Sequence, residues 1–352
     1  MTRDFPYREL GTLSDPEQHL SALAISGRDT ERLLRQLRDM LLIRRVEEKI
    51  GDMVTAGMIV CPCHLGIGQE AVAVGVSEHL RATDRVFGAH RSHSHYLALG
   101  GGVYPLLAEV LGKLDGCSKG MGGSMHLHDP AHGLLGTVPI VAGTVSLAVG
   151  AALAARKDGG DSLAVAYFGD GAAEEGVVHE AMNLAAAWRL PVLFVCENNL
   201  FSSHLHISLR QPSDRVARFA EAHRMSAMTI DGNDLLAVSD ATASLVAGIR
   251  RGEGPAFLEA LTYRWRGHVG PREDLDVGVN RGSDLALWKR RDPIRRLADA
   301  LREAESLQEE TWQAMDRAVL EEVETAWRRA DAAPYPDESA LLDWVYAGGA
   351  AK

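Results

Sequence analysis

Two short apolar runs, residues 164–168 and 192–196, bracket a stretch in which Val178, Ala181, Met182, Ala185 and Trp188 recur at helical spacing. Strand, helix and strand in that order make a βαβ unit, whose two strands run parallel in one sheet. A parallel sheet is covered by helices on both faces. Both strands then end on the same edge, where open α/β sheets bind ligands. Two polar segments reach that edge: Gly169-Asp170-Gly171, and Glu197-Asn198-Asn199.

The residue types there suit an anion held through a metal. Gly169 and Gly171 let the backbone turn sharply and approach a ligand. A helix beginning near Ala173 would aim free N–H groups at a phosphate. Glu174 and Glu175 favour the helix dipole but repel a bare phosphate. A metal is the natural mediator, and Asp170 and the Asn199 amide oxygen are hard ligands for Mg²⁺ bridging a diphosphate.

The run GDGAAEEGVVHEAMNLAAAWRLPVLFVCENN resembles the alpha subunits of thiamine-diphosphate-dependent 2-oxo acid dehydrogenases of the pyruvate, branched-chain and acetoin types. The resemblance implies that Asp170, Asn199 and the backbone carbonyl of Phe201 hold Mg²⁺, and that Gly169, Gly171 and Ala172 cradle the cofactor. CHLGIGQEA resembles the family's histidine-bearing loop, which makes His64 a catalytic candidate facing the cofactor or a lipoyl group; the alternative is a loop histidine held by backbone hydrogen bonds. The segment from His90 to His95 admits a metal cluster. By resemblance it is instead a tyrosine-arginine-x-histidine pattern. Arg91 then binds the diphosphate, as a guanidinium can bidentately, and His93 lies near the thiazolium. His90 stands where the family has tyrosine, and His95 has an equivalent mainly in the acetoin-like branch. Pro139 and Val141 match the place where family backbones meet the aminopyrimidine. His268 corresponds to a histidine contacting the diphosphate. Val269 follows it where animal mitochondrial enzymes often carry a phosphorylated serine.

Other stretches read as framework. Residues 116–127 resemble the family's GGSMH loop and on physical grounds form a flexible loop, with Ser124 and His126 either holding it or touching substrate. Asp29 or Thr30 can cap a long helix with an apolar face from Leu33 to Met53. On that helix Arg44 to Glu48 read as a solvated or interfacial face. Residues 134–155 carry no charge, but Gly136, Gly143, Gly150 and Pro139 favour a loop and a buried helix over a membrane span. Further strands are expected at 228–230 and 256–263. Residues 270–284 make a charged loop able to order on cofactor binding, and the chain is mostly helical from Leu285.

With 48 acidic against 37 basic residues, the net charge of −11 argues against nucleic acid as a partner. Cys61, Cys63, Cys117 and Cys196 form no zinc spacing and fit a reducing cytoplasm. The expected architecture is an α/β thiamine-diphosphate-binding fold: a parallel sheet flanked by helices on both faces, with helical N- and C-terminal additions. Residues 1–28 form an arm, and 29–352 the diphosphate- and metal-binding domain. The resemblance further implies a beta subunit in an α₂β₂ heterotetramer, thiamine diphosphate and Mg²⁺ as cofactors, and a lipoyl-bearing acyltransferase that accepts the acyl group from a 2-oxo acid. In the acetoin branch, carbon–carbon cleavage replaces decarboxylation. Two alternatives remain: the diphosphate-binding half of a split transketolase, and a non-catalytic scaffold that keeps the fold.

Overall fold

Strands form where the apolar runs fall. A computed structural model of the chain describes residues 7–275 and 281–343. Its strands are β1 (Arg85–Gly88), β2 (Leu134–Thr137), β3 (Ala164–Gly169), β4 (Val192–Asn198), β5 (Phe201–Ser202), β6 (Leu205–His206), β7 (Ser226–Asp231) and β8 (Ala256–Leu261). Six of them make one sheet in the order β2-β1-β3-β4-β8-β7, with every neighbouring pair parallel. β5 and β6 form a small antiparallel ribbon.

Strand periodicity divides the core in two. Val165, Tyr167, Leu193 and Val195 pack on one face with helices Thr30–Thr55, Glu70–Ser77, Leu235–Arg250, Pro293–Glu303 and Glu309–Ala332. Ala164, Ala166, Phe168, Val192, Phe194 and Cys196 pack on the other, beneath helices Gly143–Asp158 and Gly176–Ala187. All ten of these side chains are at most 1% exposed. Each large one contributes about 1.5–3 kcal/mol by leaving water, so neither face tolerates a charge. The expected doubly flanked parallel sheet is the one observed.

Several local expectations change. Residues 134–137, read as loop, form the edge strand β2. The crossover helix starts at Gly176, because Ala172–Glu174 is a separate 3₁₀ turn. Trp188 lies past its last turn and is 49% exposed, so it does not extend the apolar face. Arg44 and Glu47 are buried rather than solvated. Arg44 pairs with Glu70 at 2.6 Å and Asp292 at 3.0 Å. Asp29 caps the first long helix, accepting from the backbone N–H groups of Glu31 and Arg32. The segment from Tyr7 lies on the domain: Asp214 accepts from the backbone of Glu9 and Leu10, and Leu10 and Leu23 are buried. Part of the expected 270–284 loop, residues 276–280, lies outside the described residues.

Chain order matters more than any single element. From β1 the chain crosses to β2 on one side, then returns to β3 on the other. The reversal opens a crevice beyond the carboxyl ends of β1 and β3, where a ligand fits without displacing sheet hydrogen bonds.

Candidate active site

Five strand ends meet at one cavity. Ala89, His90 and Arg91 follow β1; Val141 and Ala142 follow β2; Gly169, Gly171 and Ala172 sit at the end of β3. Glu197 and Asn199 come from the end of β4, Phe201, Ser202 and Ser203 from the ribbon, and Arg264 and His268 from beyond β8. Most of the sequence-predicted cofactor residues therefore share one wall. Pro139 is not among the lining residues.

The two glycines do different jobs, and neither turns left-handed. Gly171 has φ −67°. A Cβ there would lie 2.4 Å from Ser202 Oγ, so close approach is what requires glycine. At Gly169 a Cβ would meet only the Glu197 carbonyl at 4.0 Å, and would project into open space in the cavity wall. The paired asparagines also separate. Asn198 anchors the loop, its amide donating to Glu259 at 2.7 Å and to the Asp214 carbonyl at 3.1 Å. Asn199 lines the cavity, and its Oδ1 accepts from Phe201 N at 3.3 Å.

Three histidines from three loops converge. The His64 ring lies 4.5 Å from His90 and 5.0 Å from His268, all edge to face. Burial, reinforced by the Arg91 charge, pushes His64 down to about 3, His90 to about 2 and His268 to about 4. Their ligating nitrogens lie within 4.8 Å of one another, close enough to consider a metal. Arg91 and Arg264 argue against it, since a dication would add to the positive charge that already depresses these imidazoles. An anion relieves that charge. Burial also pulls Arg91 down to about 10 and Arg264 to about 9. Arg91 ties two histidine loops together, donating to the Leu65 carbonyl at 2.5 Å and the His268 carbonyl at 3.2 Å.

The carboxylate read from the sequence as a metal ligand sits just under this wall. Asp170 is 1% exposed and pairs with the guanidinium of Arg210, which also pairs with Glu174. Burial raises the Asp170 carboxyl above its ordinary range against the pull of Arg210. A carboxylate this deep needs a cation, and Arg210 supplies one. The oxygens of Asp170, Asn199 and the Phe201 backbone form a hard donor set that fits Mg²⁺. Arg210 was not anticipated from sequence, because it lies outside the strand-end motifs.

His93 is the clearest departure from expectation. It is fully buried, with Nδ1 at 3.0 Å from Glu47 and Nε2 at 2.9 Å from Ser124 Oγ. Burial lowers its pKa, but the charge and hydrogen bond of Glu47 outweigh that and hold it above the ordinary range. Both of its nitrogens are engaged, so it ties Glu47 to Ser124. Glu47 also accepts from Gly66 N at 2.9 Å, fixing the loop that carries His64. His95 stacks on Tyr167 at 3.8 Å and approaches Glu197 at 3.4 Å. The supposed cluster at 90–95 is thus split: His90 faces the cavity, while His93 and His95 turn inward.

The glycine-rich loop is ordered by one carboxylate. Glu109 accepts from the backbone N–H groups of Ser118, Gly120, Gly122 and Gly123 at 2.7–3.0 Å. A Cβ at Gly116 would lie 2.2 Å from Glu109 Oε2. The loop is therefore wrapped rather than flexible.

Several polar atoms around the cavity lack a hydrogen bond among the described residues. Both amide atoms of Gln69, His64 Nδ1 and Arg264 Nη1 are buried without a hydrogen bond. Such groups cost stability unless something binds them. An anionic ligand bearing several acceptor oxygens fits the N–H donors among these, the Gln69 amide nitrogen and the Arg264 guanidinium, together with Arg91.

The family model for the dehydrogenase E1 component matches residues 38–339. The chain is 38% identical over 310 residues to the pyruvate dehydrogenase E1 component subunit alpha of Rhizobium meliloti, covering 88% of each chain. It is 36% identical over 319 residues to the subunit alpha of acetoin:2,6-dichlorophenolindophenol oxidoreductase of Bacillus subtilis, covering 90% of this chain and 94% of that one. Against the pyruvate dehydrogenase E1 component subunit alpha of Zymomonas mobilis the identity is 36% over 332 residues, covering 91% and 90%.

Proposed function

The chain belongs to the dehydrogenase E1 component family, and from that premise we propose that it is the alpha subunit of a thiamine-diphosphate-dependent dehydrogenase that decarboxylates a 2-oxo acid and passes the acyl group to a lipoyl acceptor. The observation that carries the reading is the set of unpartnered donors beside Arg91 and Arg264 at the β1/β3 crevice. When bound, thiamine diphosphate supplies the nucleophilic carbon and the electron sink for breaking the bond beside a carbonyl.

The chain's own residues then have distinct tasks. Gln69, His64, His90, Arg91, His268 and Arg264 would bind the diphosphate oxygens. Asp170, Asn199 and the Phe201 carbonyl would hold Mg²⁺, for which the Asp170 carboxylate would have to leave its pairing with Arg210. Gly169 leaves room for the ligand, and Ala172 and Val141 close the wall. Arg91 and Glu47 hold the histidine loops at fixed separation, and His93 keeps Ser124 and the glycine-rich loop in register. Neutral imidazoles at the wall accept or return protons as charge arrives with the ligand.

A beta subunit completes the site. Before its last turn, where Lys157 and Asp158 are exposed, the outer face of helix Gly143–Asp158 presents Ser146, Leu147, Gly150 and Ala154, none of them charged, and Ile140 is 72% exposed at the cavity mouth. An uncharged, small-residue face beside an open cavity suits packing against another chain better than water. The assembly is an α₂β₂ heterotetramer, served by a lipoyl-bearing acyltransferase in the cytoplasm, where the free cysteines stay reduced. No helix among the described residues is long and apolar enough to cross a membrane.

A second reading, cleavage of acetoin, is favoured by the similarity to the Bacillus subtilis subunit and by His95 beside the cavity-lining Glu197. One assay separates the two. The chain is co-purified with its beta partner and offered pyruvate, branched 2-oxo acids or acetoin with an artificial electron acceptor. Turnover of one substrate, dependent on thiamine diphosphate and Mg²⁺ and lost in Asp170→Ala, is the expected result. Tight Mg²⁺-dependent cofactor binding by Asp170→Ala would refute the metal assignment.

A further inference from the structure

Two thiols stand outside the chemistry above yet touch its framework. The sulfurs of Cys61 and Cys63 are 3.9 Å apart across Pro62. A disulfide needs about 2.05 Å, so a side-chain rotation and a small loop adjustment would close the gap. Cys61 is partly open to solvent and Cys63 is buried, which separates an accessible sulfur from a shielded one. The Cys63 hydrogen bond pulls the Cys61 thiol down to about 6, with His93 adding to the effect. The same bond, together with burial, pushes Cys63 up, and Glu47 adds to that. Cys117 is pushed up to about 12 by burial, and Cys196 is raised by complete burial. Cys61, the more open of the two, is the sulfur an oxidant reaches first, and burial keeps the proton on Cys63.

The pair is wired to the cavity wall. The loop carrying Ser124 lies against Cys61, where a Cβ at Gly123 would meet the sulfur at 3.6 Å, and the Ser124 hydroxyl meets His93 Nε2 at 2.9 Å. The Cys63 carbonyl accepts from Gly270 N at 2.8 Å, two residues beyond His268. His64 follows Cys63 directly in the chain.

We propose that Cys61 and Cys63 are a redox-active dithiol, oxidised by hydrogen peroxide to an intramolecular disulfide that disturbs the histidine loops. The Cys61 thiolate attacks one peroxide oxygen. The O–O bond breaks, and hydroxide leaves to be protonated to water. The Cys63 sulfur then attacks the Cys61 sulfenic acid, the S–S bond forms and the S–O bond breaks. The departing hydroxide takes the Cys63 proton. Two thiols and one peroxide thus give one disulfide and two waters, and a dithiol reductant reverses the change.

The test uses the full-length reduced chain, treated with stoichiometric hydrogen peroxide and mapped by mass spectrometry without reduction. The expected product is two hydrogens lighter, with the loss confined to the peptide holding Cys61 and Cys63, and is restored by dithiothreitol. At pH 7, iodoacetamide should label Cys61 about tenfold faster than Cys117 or Cys196. Cys63→Ser should stop at a dimedone-trapped Cys61 sulfenic acid, and Cys61→Ser should leave Cys63 a free thiol. Both thiols remaining alkylatable after peroxide, or a disulfide formed with Cys117 or Cys196, would overturn the proposal. The disturbance of the site rests on the proposed function and has its own arm, with the chain co-purified with its beta partner. Thiamine diphosphate with Mg²⁺ should bind the oxidised form about tenfold more weakly, recovering on reduction, because the bond moves groups that fix the histidine wall. Equal affinity would remove the coupling. Failure of the reduced complex to bind would sink the functional reading and leave the dithiol chemistry standing.

Discussion

Arg210 shows how one side chain can hold a site together without being part of its motif. Its guanidinium pairs with Asp170 and Glu174, and Gln211 adds a bond to Glu174 at 2.8 Å. Removing it strands a carboxylate that is 1% exposed. Arg210→Met should cost about 3 kcal/mol in urea unfolding without metal, because an unpaired buried charge is what remains. The same variant should bind Mg²⁺ more tightly than wild type by isothermal titration, since metal no longer competes with a tethered cation. Unchanged Mg²⁺ affinity would mean that Arg210 and the metal do not share Asp170. Glu47 is a second residue of this kind. Glu47→Ala leaves His93 Nδ1 and Gly66 N without their acceptor, a loss of about 2–4 kcal/mol at a buried charged group.

At the scale of elements, loops that look slack in sequence are fixed by buried carboxylates. Four backbone N–H groups of the 116–125 loop point at Glu109. Glu109→Ala should open that loop, lower stability by about 3–5 kcal/mol, and speed amide exchange at Gly120, Gly122 and Gly123. Exchange confined to other segments would show that the loop holds itself. The helix Gly143–Asp158 makes the opposite kind of prediction. A Cβ at Gly150 meets nothing within 4 Å, so Gly150→Glu should fold normally, with its circular dichroism spectrum unchanged. It should fail to co-purify with the beta subunit, because it sets a charge into an uncharged contact face. Normal recovery of the heterotetramer would move the interface elsewhere.

For the whole molecule, the convergent histidines set a pH dependence. In the unfolded chain His64, His90 and His268 take up protons near pH 6.5. In the fold they stay neutral until about 3, 2 and 4 respectively. Between those limits the unfolded state binds more protons, so stability is full above pH 6.5 and is lost as pH falls toward the folded values. The buried His64 alone can contribute a slope of up to about 1.4 kcal/mol per pH unit; the partly exposed pair contribute less. Urea melts at pH 7.5 and 5.5 should show the loss, and His64→Asn should reduce it. An identical slope in the variant would mean that other groups set the acid limit.

The sequence by itself determined the sheet and its useful edge. Continuous apolar runs and a period-3.6 crossover specify β3, the helix Gly176–Ala187 and β4 locally, and the unbroken apolarity of the runs is what buries both faces of the strands. Asp170 and Asn199 could be placed at that edge for the same reason, since parallel strands put their carboxyl ends together whatever the rest of the chain does, whereas Phe201 came only from the family resemblance. Which histidines face one another was decided by the tertiary structure. His90 and His93 are three residues apart, yet a strand end followed by a helix turns one toward the cavity and the other into Glu47 and Ser124. The partners Glu47, Arg210 and Gln69 come from distant segments, and nothing in their immediate neighbours signals a buried charge or an unpaired amide. Local periodicity encodes elements because side-chain direction repeats every two residues in a strand and every 3.6 in a helix. Long-range pairing of charges depends on where loops meet, and only the closed sheet brings those loops together.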